Sequence, residues 1–278
     1  MKRIRFLLGV CLVMVPLSAS AQVNTTAGNA SPYKPGEGWI NVNIDAANLQ
    51  RWYGYDVVAG RSYCVEGVSE STPTAVSYDG DTYIYRGDGT TQIAGNDDYF
   101  TETSGGGGLF VNPGRVCYIS DENGSHLARL SNHNLGTNTR SYRWRVEDTT
   151  LFCPWFFSGS GFEAFVLIRN TTASAIKATV TLRNTAGAVV GPPQTATVPA
   201  NGSFNLQVSA APPNGFGLAA ASGSVEIAYG STQAFAPGAS SNWAAGAPGS
   251  VVANVTSLSF GQGVSFDTPA NPRQDWRN

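Results

Sequence analysis

The chain contains little charge, few histidines and few cysteines, and each shortage argues against a class of protein. Asp, Glu, Lys and Arg make up 13% of its 278 residues, with two histidines and four cysteines in all. Only four charged side chains occur between residues 164 and 266. A nucleic-acid-binding surface needs concentrated positive charge, and this composition does not provide it. We therefore expect no nucleic-acid partner.

Long apolar runs are also absent after the N-terminus. Lys2, Arg3 and Arg5 precede the apolar run 6–17, and Ala19-Ser20-Ala21 follows it, which is the pattern of a secretory signal peptide. No later segment approaches the roughly 18 apolar residues of a membrane helix, so we expect no transmembrane segment. Cleavage after Ala21 leaves 257 residues, with 19 acidic against 14 basic side chains. The sequence thus predicts a secreted or periplasmic protein, with or without association with the cell surface.

Both halves of the mature chain contain short alternating segments typical of β-strands. In 177–183, KATVTLR, the apolar side chains of Ala178, Val180 and Leu182 share one face. Gly, Pro, Asn and Asp punctuate such segments, and no long helical period occurs. We predict an all-β fold of two sandwiches, with loops at 105–108 and 210–221. Because charges become rare after Asp148, the predicted division is a signal peptide over 1–21, a linker over 22–36, a first sandwich over 37–148, a second over 149–266 and a polar tail over 267–278.

Three cysteines remain after signal cleavage, and export places them where disulfides persist. Cys64 and Cys117 lie in RSYCVEG and GRVCYIS, which both have the composition of strands. We expect these two to pair, which would stabilise the fold by about 4 kcal/mol in the chain-entropy model. Cys153 is then left over, and the sequence leaves open whether it is buried and unpaired, bridges another chain, or competes for one of the other two.

The first half resembles a known bacterial family in the order of its elements. The segments are YGYDVVAGRSYCVEG, then DTYIYRGDGTTQIAGNDD, then NPGRVCYIS, and over residues 37–146 they are similar to the bacterial pre-peptidase C-terminal (PPC) family. The resemblance implies a jelly-roll-like sandwich that is usually an appendage of secreted enzymes, although the remaining chain supplies no protease. The residues that carry it are Tyr55, Asp56, Ala59, Gly60, Asp81, Tyr83, Tyr85, Asp88, Gly89, Asn96, Asp97, Asp98, Gly114, Cys117 and Tyr118.

The second half resembles the small immunoglobulin-like sandwiches of bacterial extracellular proteins. The segments that carry this resemblance are GFEAFVLIRNTT, VTLRNTAGAVV, TVPANGSFNLQV and GSVEIAYG. It implies a second β-sandwich and no particular activity.

The stretch 81–100, DTYIYRGDGTTQIAGNDDYF, combines aspartates with turn residues and allows two interpretations. Asp and Asn side chains commonly bond nearby backbone groups at strand ends, and we favour this one. Calcium, however, takes six to eight oxygen ligands, so a weak structural Ca²⁺ site is the alternative, and no other cofactor is expected. The ligands would come from Asp79, Asp81, Asp97 and Asp98.

Residues suited to catalysis are few. His126 and His133 lie in a polar segment without the ligand spacing of a zinc site, and we expect a surface loop there. SGSGF at 158–162 lacks the strand-turn-helix context of a nucleophile elbow. Asp97 and Asp98 are adjacent, so on a strand they would point to opposite faces, unlike a glycosidase pair. We predict no enzymatic site.

Aromatic side chains are the best indication of binding. Trp52, Tyr53, Tyr55 and Trp155 are candidates for presenting ring faces to a ligand. Alternation along the strand would expose only one of Trp52 and Tyr53, and for CPWFF at 153–157 we favour packing at the junction of the two domains.

Together these observations predict a secreted, non-enzymatic accessory or surface protein that mediates extracellular binding or adhesion. Its partner would be an extracellular polymer, a glycan or a protein surface. The alternatives are a carbohydrate- or polymer-binding module, a structural subunit of a surface assembly and, with least support, a hydrolase with an unrecognised site.

Overall fold

A computed structural model describes residues 24–45, 49–69, 80–96, 98–103, 109–132, 140–235 and 243–273, so the predicted signal peptide lies outside the described residues. In these residues the chain forms twenty strands and one short 3-10 helix, Ala27–Asn29. None of the described segments forms a helix long and apolar enough to cross a membrane. The predicted all-β class is confirmed.

The first sandwich packs a five-stranded sheet, in the order β1-β3-β10-β5-β6, against a four-stranded sheet, β2-β11-β4-β9. Both sheets contribute to one apolar core, in which Trp144 and Tyr55 are among the largest buried side chains. A two-stranded sheet, β7-β8, accompanies them. The strands are β1 (Ser31–Pro32), β2 (Ile40–Ile44), β3 (Gln50–Val57), β4 (Ser62–Ser69), β5 (Gly80–Arg86), β6 (Gln92–Asn96), β7 (Asp98–Thr103), β8 (Leu109–Pro113), β9 (Val116–Ile119), β10 (Gly124–Asn132) and β11 (Arg140–Asp148).

The second sandwich packs the sheet β15-β14-β17-β12-β20 against β16-β13-β18-β19. Its separate core is built from alternate residues, such as Ala178, Val180 and Leu182 of β14, as the alternation in KATVTLR predicted. The strands are β12 (Leu151–Ser158), β13 (Glu163–Asn170), β14 (Ile176–Asn184), β15 (Gln194–Val198), β16 (Ser203–Gln207), β17 (Ala221–Ser231), β18 (Val251–Ser259), β19 (Val264–Pro269) and β20 (Asn271–Pro272).

One predicted loop is wrong. The segment around His126 is β10, a central strand paired with both β3 and β5. Its inward residues His126, Ala128 and Leu130 are all buried. The prediction fails because the inward-facing histidine makes the segment look polar. His133 and the predicted loop at 105–108 lie outside the described residues.

The predicted disulfide is confirmed. Cys64 and Cys117 are directly opposite on the antiparallel pair β4 and β9, both are fully buried, and they are bonded to each other across 53 residues of sequence. Closing a loop of that length contributes about 4 kcal/mol in the chain-entropy model.

A segment from the second half of the sequence completes the core of the first sandwich. The buried ring of Trp243 belongs to that core and lies parallel to Phe235, with ring centroids 5.7 Å apart. Phe235 in turn meets the edge of Tyr118. The Trp243 carbonyl accepts a hydrogen bond of 2.8 Å from the Cys117 N–H. This bond gives a backbone N–H of the edge strand β9 its hydrogen-bond partner. The two sandwiches therefore share a packed contact.

This contact predicts that Trp243→Ala destabilises the first sandwich. Truncating a buried tryptophan removes its packing and leaves a cavity, so we expect the free energy of unfolding to fall by about 3–5 kcal/mol. Urea denaturation measures it. The matched control is Trp155→Ala, which truncates an exposed tryptophan and should cost about 1 kcal/mol or less. Equal losses in the two variants would contradict the assignment of Trp243 to the core.

Candidate binding surface

Three of the four aromatic residues predicted to bind a ligand are buried. Trp52, Tyr53 and Tyr55 are 5%, 8% and 2% exposed, so the prediction that they present ring faces is wrong. Tyr53 and Tyr55 lie in the core of the first sandwich. Trp52 is on the outer face of β3, where the N-terminal segment covers it and Asn24 accepts a hydrogen bond from its backbone N–H at 2.8 Å. Because the N-terminal segment covers the outer face of β3 at Trp52, neither Trp52 nor the inward-facing Tyr53 and Tyr55 is exposed.

Trp155, the fourth predicted residue, is 42% exposed. The register of β12 against β17 shifts between Cys153 and Phe156, which is a β-bulge. A bulge inserts one extra residue and re-aims the side chains beside it, and here both Pro154 and Trp155 are exposed. Gly223 lies opposite the bulge with a φ of 151°, and a Cβ there would be 1.8 Å from the carbonyl oxygen of Arg183. The expectation that this segment packs at the domain junction is wrong for Trp155.

Four aromatic rings form a closed group around Trp155, which we name the aromatic cluster: Trp155, Phe157, Phe162 and Phe266. The Trp155 ring is parallel to Phe157, with centroids 6.3 Å apart and planes 4° apart. Its other neighbour is Phe266, at 6.2 Å and nearly perpendicular. Phe162 closes the group by contacting Phe157 at 5.7 Å and Phe266 at 6.0 Å. Phe266 is 51% exposed, so the group has two half-exposed rings standing on two partly buried ones.

A tight turn and a buried thiol hold the elements that carry the aromatic cluster. Ser160 and Gly161 have φ values of 51° and 88°, which are the positive values of a type I′ hairpin turn, and this turn places Phe162. The SGSGF sequence is therefore a hairpin turn, as its lack of a nucleophile-elbow context indicated. Beneath the cluster, the Cys153 sulfur lies 3.3 Å from the carbonyl oxygen of Trp155 and 3.6 Å from that of Thr268.

Cys153 is free and fully buried. Burial raises the pKa of its thiol, which disfavours the reactive thiolate. Of the three alternatives left open by the sequence, the structure corresponds to a buried, unpaired cysteine that ties β12 to β19.

Charge is scarce where the aromatic cluster lies. β12 contains no charged residue, and β19 contains one, Asp267, which accepts a hydrogen bond from the Thr256 hydroxyl. Trp39, the other exposed tryptophan among the described residues, differs in this respect because the Arg145 guanidinium lies 4.3 Å from its ring centroid. The cluster is therefore an apolar surface, whereas Trp39 is partly covered by a cation.

His126 belongs to a buried chain of hydrogen bonds rather than to a loop. Its Nδ1 is 2.8 Å from the Tyr118 hydroxyl, which is 2.8 Å from that of Tyr55, and its Nε2 is 3.0 Å from Glu122. Burial lowers the pKa of His126, and hydrogen bonding to Arg86 lowers that of Glu122. The ring is thus neutral beside an ionised carboxylate, so Nε2–H donates to Glu122 and Nδ1 accepts from Tyr118. No signal in the sequence indicated this network, because His126 was expected in a surface loop, whereas it lies in β10.

The predicted calcium ligands are not brought together in the described part of the chain. Asp79 and Asp97 lie outside the described residues, and of Asp98 only the backbone, in β7, is described. Asp81 is buried and accepts a hydrogen bond of 3.3 Å from the Ser131 hydroxyl. The described residues contain no group of three or more His, Cys, Asp or Glu suited to a metal ion, and calcium stays a prediction.

In the stretch 81–100, the side chain of Asp88 bonds nearby backbone groups in a turn, which is the interpretation that the sequence favoured. The Asp88 carboxylate accepts hydrogen bonds from the Thr91 hydroxyl and from the N–H groups of Thr90 and Thr91. These bonds, led by that of the Thr91 hydroxyl, lower the pKa of Asp88 to about 2.

Comparison with known proteins finds similar solved structures and no matching family. No protein-family model matches the chain, and no curated protein matches it. Similar solved structures include the pre-peptidase C-terminal domain of a collagenase from Bacillus anthracis, with 9% identity and a TM-score of 0.30 over 42% of this chain and 94% of that one. A protein of Eubacterium rectale described as secreted has 10% identity and a TM-score of 0.30 over 91% of this chain and 84% of that one. A domain of the PPC family, which the first half of the sequence resembles, is thus among the similar solved structures.

The neutral state of buried His126 predicts a stability that depends on pH. Its pKa is lowered in the folded protein from an ordinary value of 6.5, so the unfolded chain binds a proton first as pH falls. The contribution of neutral His126 to the free energy of unfolding should be fully present above about pH 6.5, the ordinary pKa of a histidine. It should decrease as the pH falls from there to the lower pKa that His126 has in the folded protein. Melting temperatures measured from pH 7.5 to 5 test this.

The variant His126→Gln keeps a side-chain N–H for Glu122 but cannot titrate, so its melting temperature should change less over this range. His133→Gln removes the other histidine and is the matched control, with the wild-type slope expected. An unchanged slope in His126→Gln would contradict the role given to His126.

Proposed function

We propose that this is an exported, non-enzymatic accessory protein that binds an extracellular polymer through the aromatic cluster. The observation that carries the proposal is the closed group of four rings with Trp155 and Phe266 half-exposed. Monomeric proteins seldom expose contiguous apolar patches without a use for them. The proposal assigns the protein no reaction.

The chemistry of the aromatic cluster supports an uncharged ligand. Large aromatic rings supply much contact area for little loss of conformational freedom, and buried tryptophans dominate many interfaces. Since β12 has no charge and Asp267 already accepts a hydrogen bond, the cluster offers little to an ionic partner. A neutral polysaccharide, whose sugar rings present C–H faces, is the ligand class that we favour. An apolar protein surface is the competing partner.

A second candidate function, a subunit of a surface assembly, is supported by β19. It is an edge strand of its sheet, and its residues 264–267 are all exposed, including Val264 and Phe266. Edge strands usually carry lysines, prolines or bulges that prevent pairing with another chain, and β19 has a proline only at its end. Light scattering coupled to size-exclusion chromatography separates this candidate, which requires concentration-dependent association, from a monomeric binder.

The proposal predicts that Trp155→Ala weakens retention on neutral polysaccharides. Truncating a central aromatic of a binding surface typically costs about 2 kcal/mol or more, so the dissociation constant should rise about thirtyfold or more. Affinity electrophoresis on gels containing cellulose derivatives, xylan, glucan or mannan measures it. Phe266→Ala should weaken binding in the same gels.

The matched control is Trp39→Ala, which removes an exposed tryptophan outside the aromatic cluster and should leave retention unchanged. Absence of retention of the wild-type protein in every gel would reject the polysaccharide as ligand class. Retention that Trp155→Ala and Trp39→Ala reduce equally would reject the aromatic cluster as the binding surface.

A further inference from the structure

A groove in the first sandwich, remote in sequence from the aromatic cluster, has the form of a second binding site. Its larger part is a cavity of about 450 Å³ between the N-terminal segment and the ends of β3, β4 and β11. Drug-sized ligand sites in proteins occupy cavities of about this size. Its lining includes the apolar residues Pro32, Pro35 and Val58 and the charged residues Asp56, Arg61 and Asp148.

A smaller cavity of about 350 Å³ continues the groove. The two cavities share the residues Pro32, Tyr33 and Asp56, and the smaller one extends past Gly28 and Gly54 towards β10. Among the described residues that line it, Asp56 is the only charged one. The groove is therefore elongated, with the Asp56 carboxylate near its middle and an uncharged arm on one side.

The charges of the groove leave Asp56 without a counterion. Arg61 and Asp148 lie 3.4 Å apart and offset each other. At the rim, Lys34 and Glu37 carry opposite charges within one turn, in which Glu37 accepts the Lys34 backbone N–H at 3.1 Å. Among the described residues no ion pair or side-chain hydrogen bond engages the exposed carboxylate of Asp56.

We propose that this groove binds an extended polypeptide that places a lysine or arginine side chain on Asp56. The ammonium or guanidinium group forms a charge-assisted hydrogen bond with the carboxylate, and the apolar stem lies along Pro32, Pro35 and Val58. The uncharged arm beside Gly28 and Gly54 takes the neighbouring peptide backbone. A free alkyl amine has the same cationic chemistry but would not use that arm.

The experiment titrates the full mature protein, labelled with ¹⁵N, with two probes at low salt. One is an extended peptide, acetyl-Gly-Ala-Lys-Ala-Gly-amide, and the other is cadaverine, a free amine with a five-carbon stem. A single side chain in an open groove binds with a dissociation constant of about 1 mM. We expect the peptide to shift amide resonances along the groove and to bind more tightly than cadaverine.

Asp56→Asn removes the charge while keeping the shape of the side chain, and should weaken peptide binding roughly tenfold. The matched control is Asp267→Asn, which makes the same change of charge in the second sandwich and should bind the peptide as the wild type does. Equal binding by Asp56→Asn and the wild type would overturn the proposal, as would the absence of peptide binding at about 10 mM.

Gly28→Leu distinguishes the two sources of the cation. Gly28 lines the uncharged arm, and a Cβ there meets no atom within 4 Å, so a leucine at this position adds bulk to the lining of the arm without a clash at its Cβ. It should weaken peptide binding several-fold and leave cadaverine unaffected, whereas Gly261→Leu, also with open space at its Cβ, should affect neither. Tighter binding of cadaverine than of peptide would overturn the polypeptide assignment. Trp155→Ala should not alter either titration, so this test is independent of the proposed polysaccharide binding.

Discussion

A strand directs alternate side chains to its two faces, and a sandwich buries one face of each sheet. β14 and β18 obey this strictly, with Val180 and Val255 inside and Lys177 and Val252 outside. Both proposed binding surfaces lie where the chain departs from this alternation of buried and exposed side chains. The N-terminal segment covers the outer face of β3 and walls the groove, and the bulge in β12 turns Trp155 outwards to form the aromatic cluster.

Part of the scarce charge of the second sandwich is used in one buried cluster. Glu226 is buried and accepts hydrogen bonds from Arg183 and Arg273, so two of the four charged residues between 164 and 266 belong to one cluster. Glu66 has the same arrangement in the first sandwich, between Arg115 and Arg145. A buried carboxylate needs such partners, because a lone buried charge is strongly destabilising. The surface is left with little charge, which is what allows an apolar patch at the aromatic cluster.

The alternation and composition of short segments were sufficient to predict the all-β fold. They did not predict which side chains from distant segments pack together. Alternation predicted most strands, and strand composition predicted the pairing of Cys64 with Cys117. The aromatic cluster joins residues from 155 to 266, so only Trp155 gave a signal in the sequence. The burial of Trp52 depends on the N-terminal segment that begins near Asn24. The alternation of residues within β3 gives no information about that segment. His126 was missed for a related reason, since a histidine in a core is recognisable only with its partners Tyr118 and Glu122.

The contact between the sandwiches bears on how two weak sites would act together. Phe235 and Trp243 pack on Tyr118, whose hydroxyl bonds to that of Tyr55, and Tyr55 lines the smaller cavity of the groove. This packed contact links the first sandwich, which contains the groove, to the half of the chain that contains the aromatic cluster. Two sites on one chain raise the effective concentration of the second for a ligand already held by the first, provided that the ligand spans both. An extracellular matrix whose polysaccharide and basic polypeptide reach both proposed sites would therefore be held more strongly than either site alone would hold its ligand.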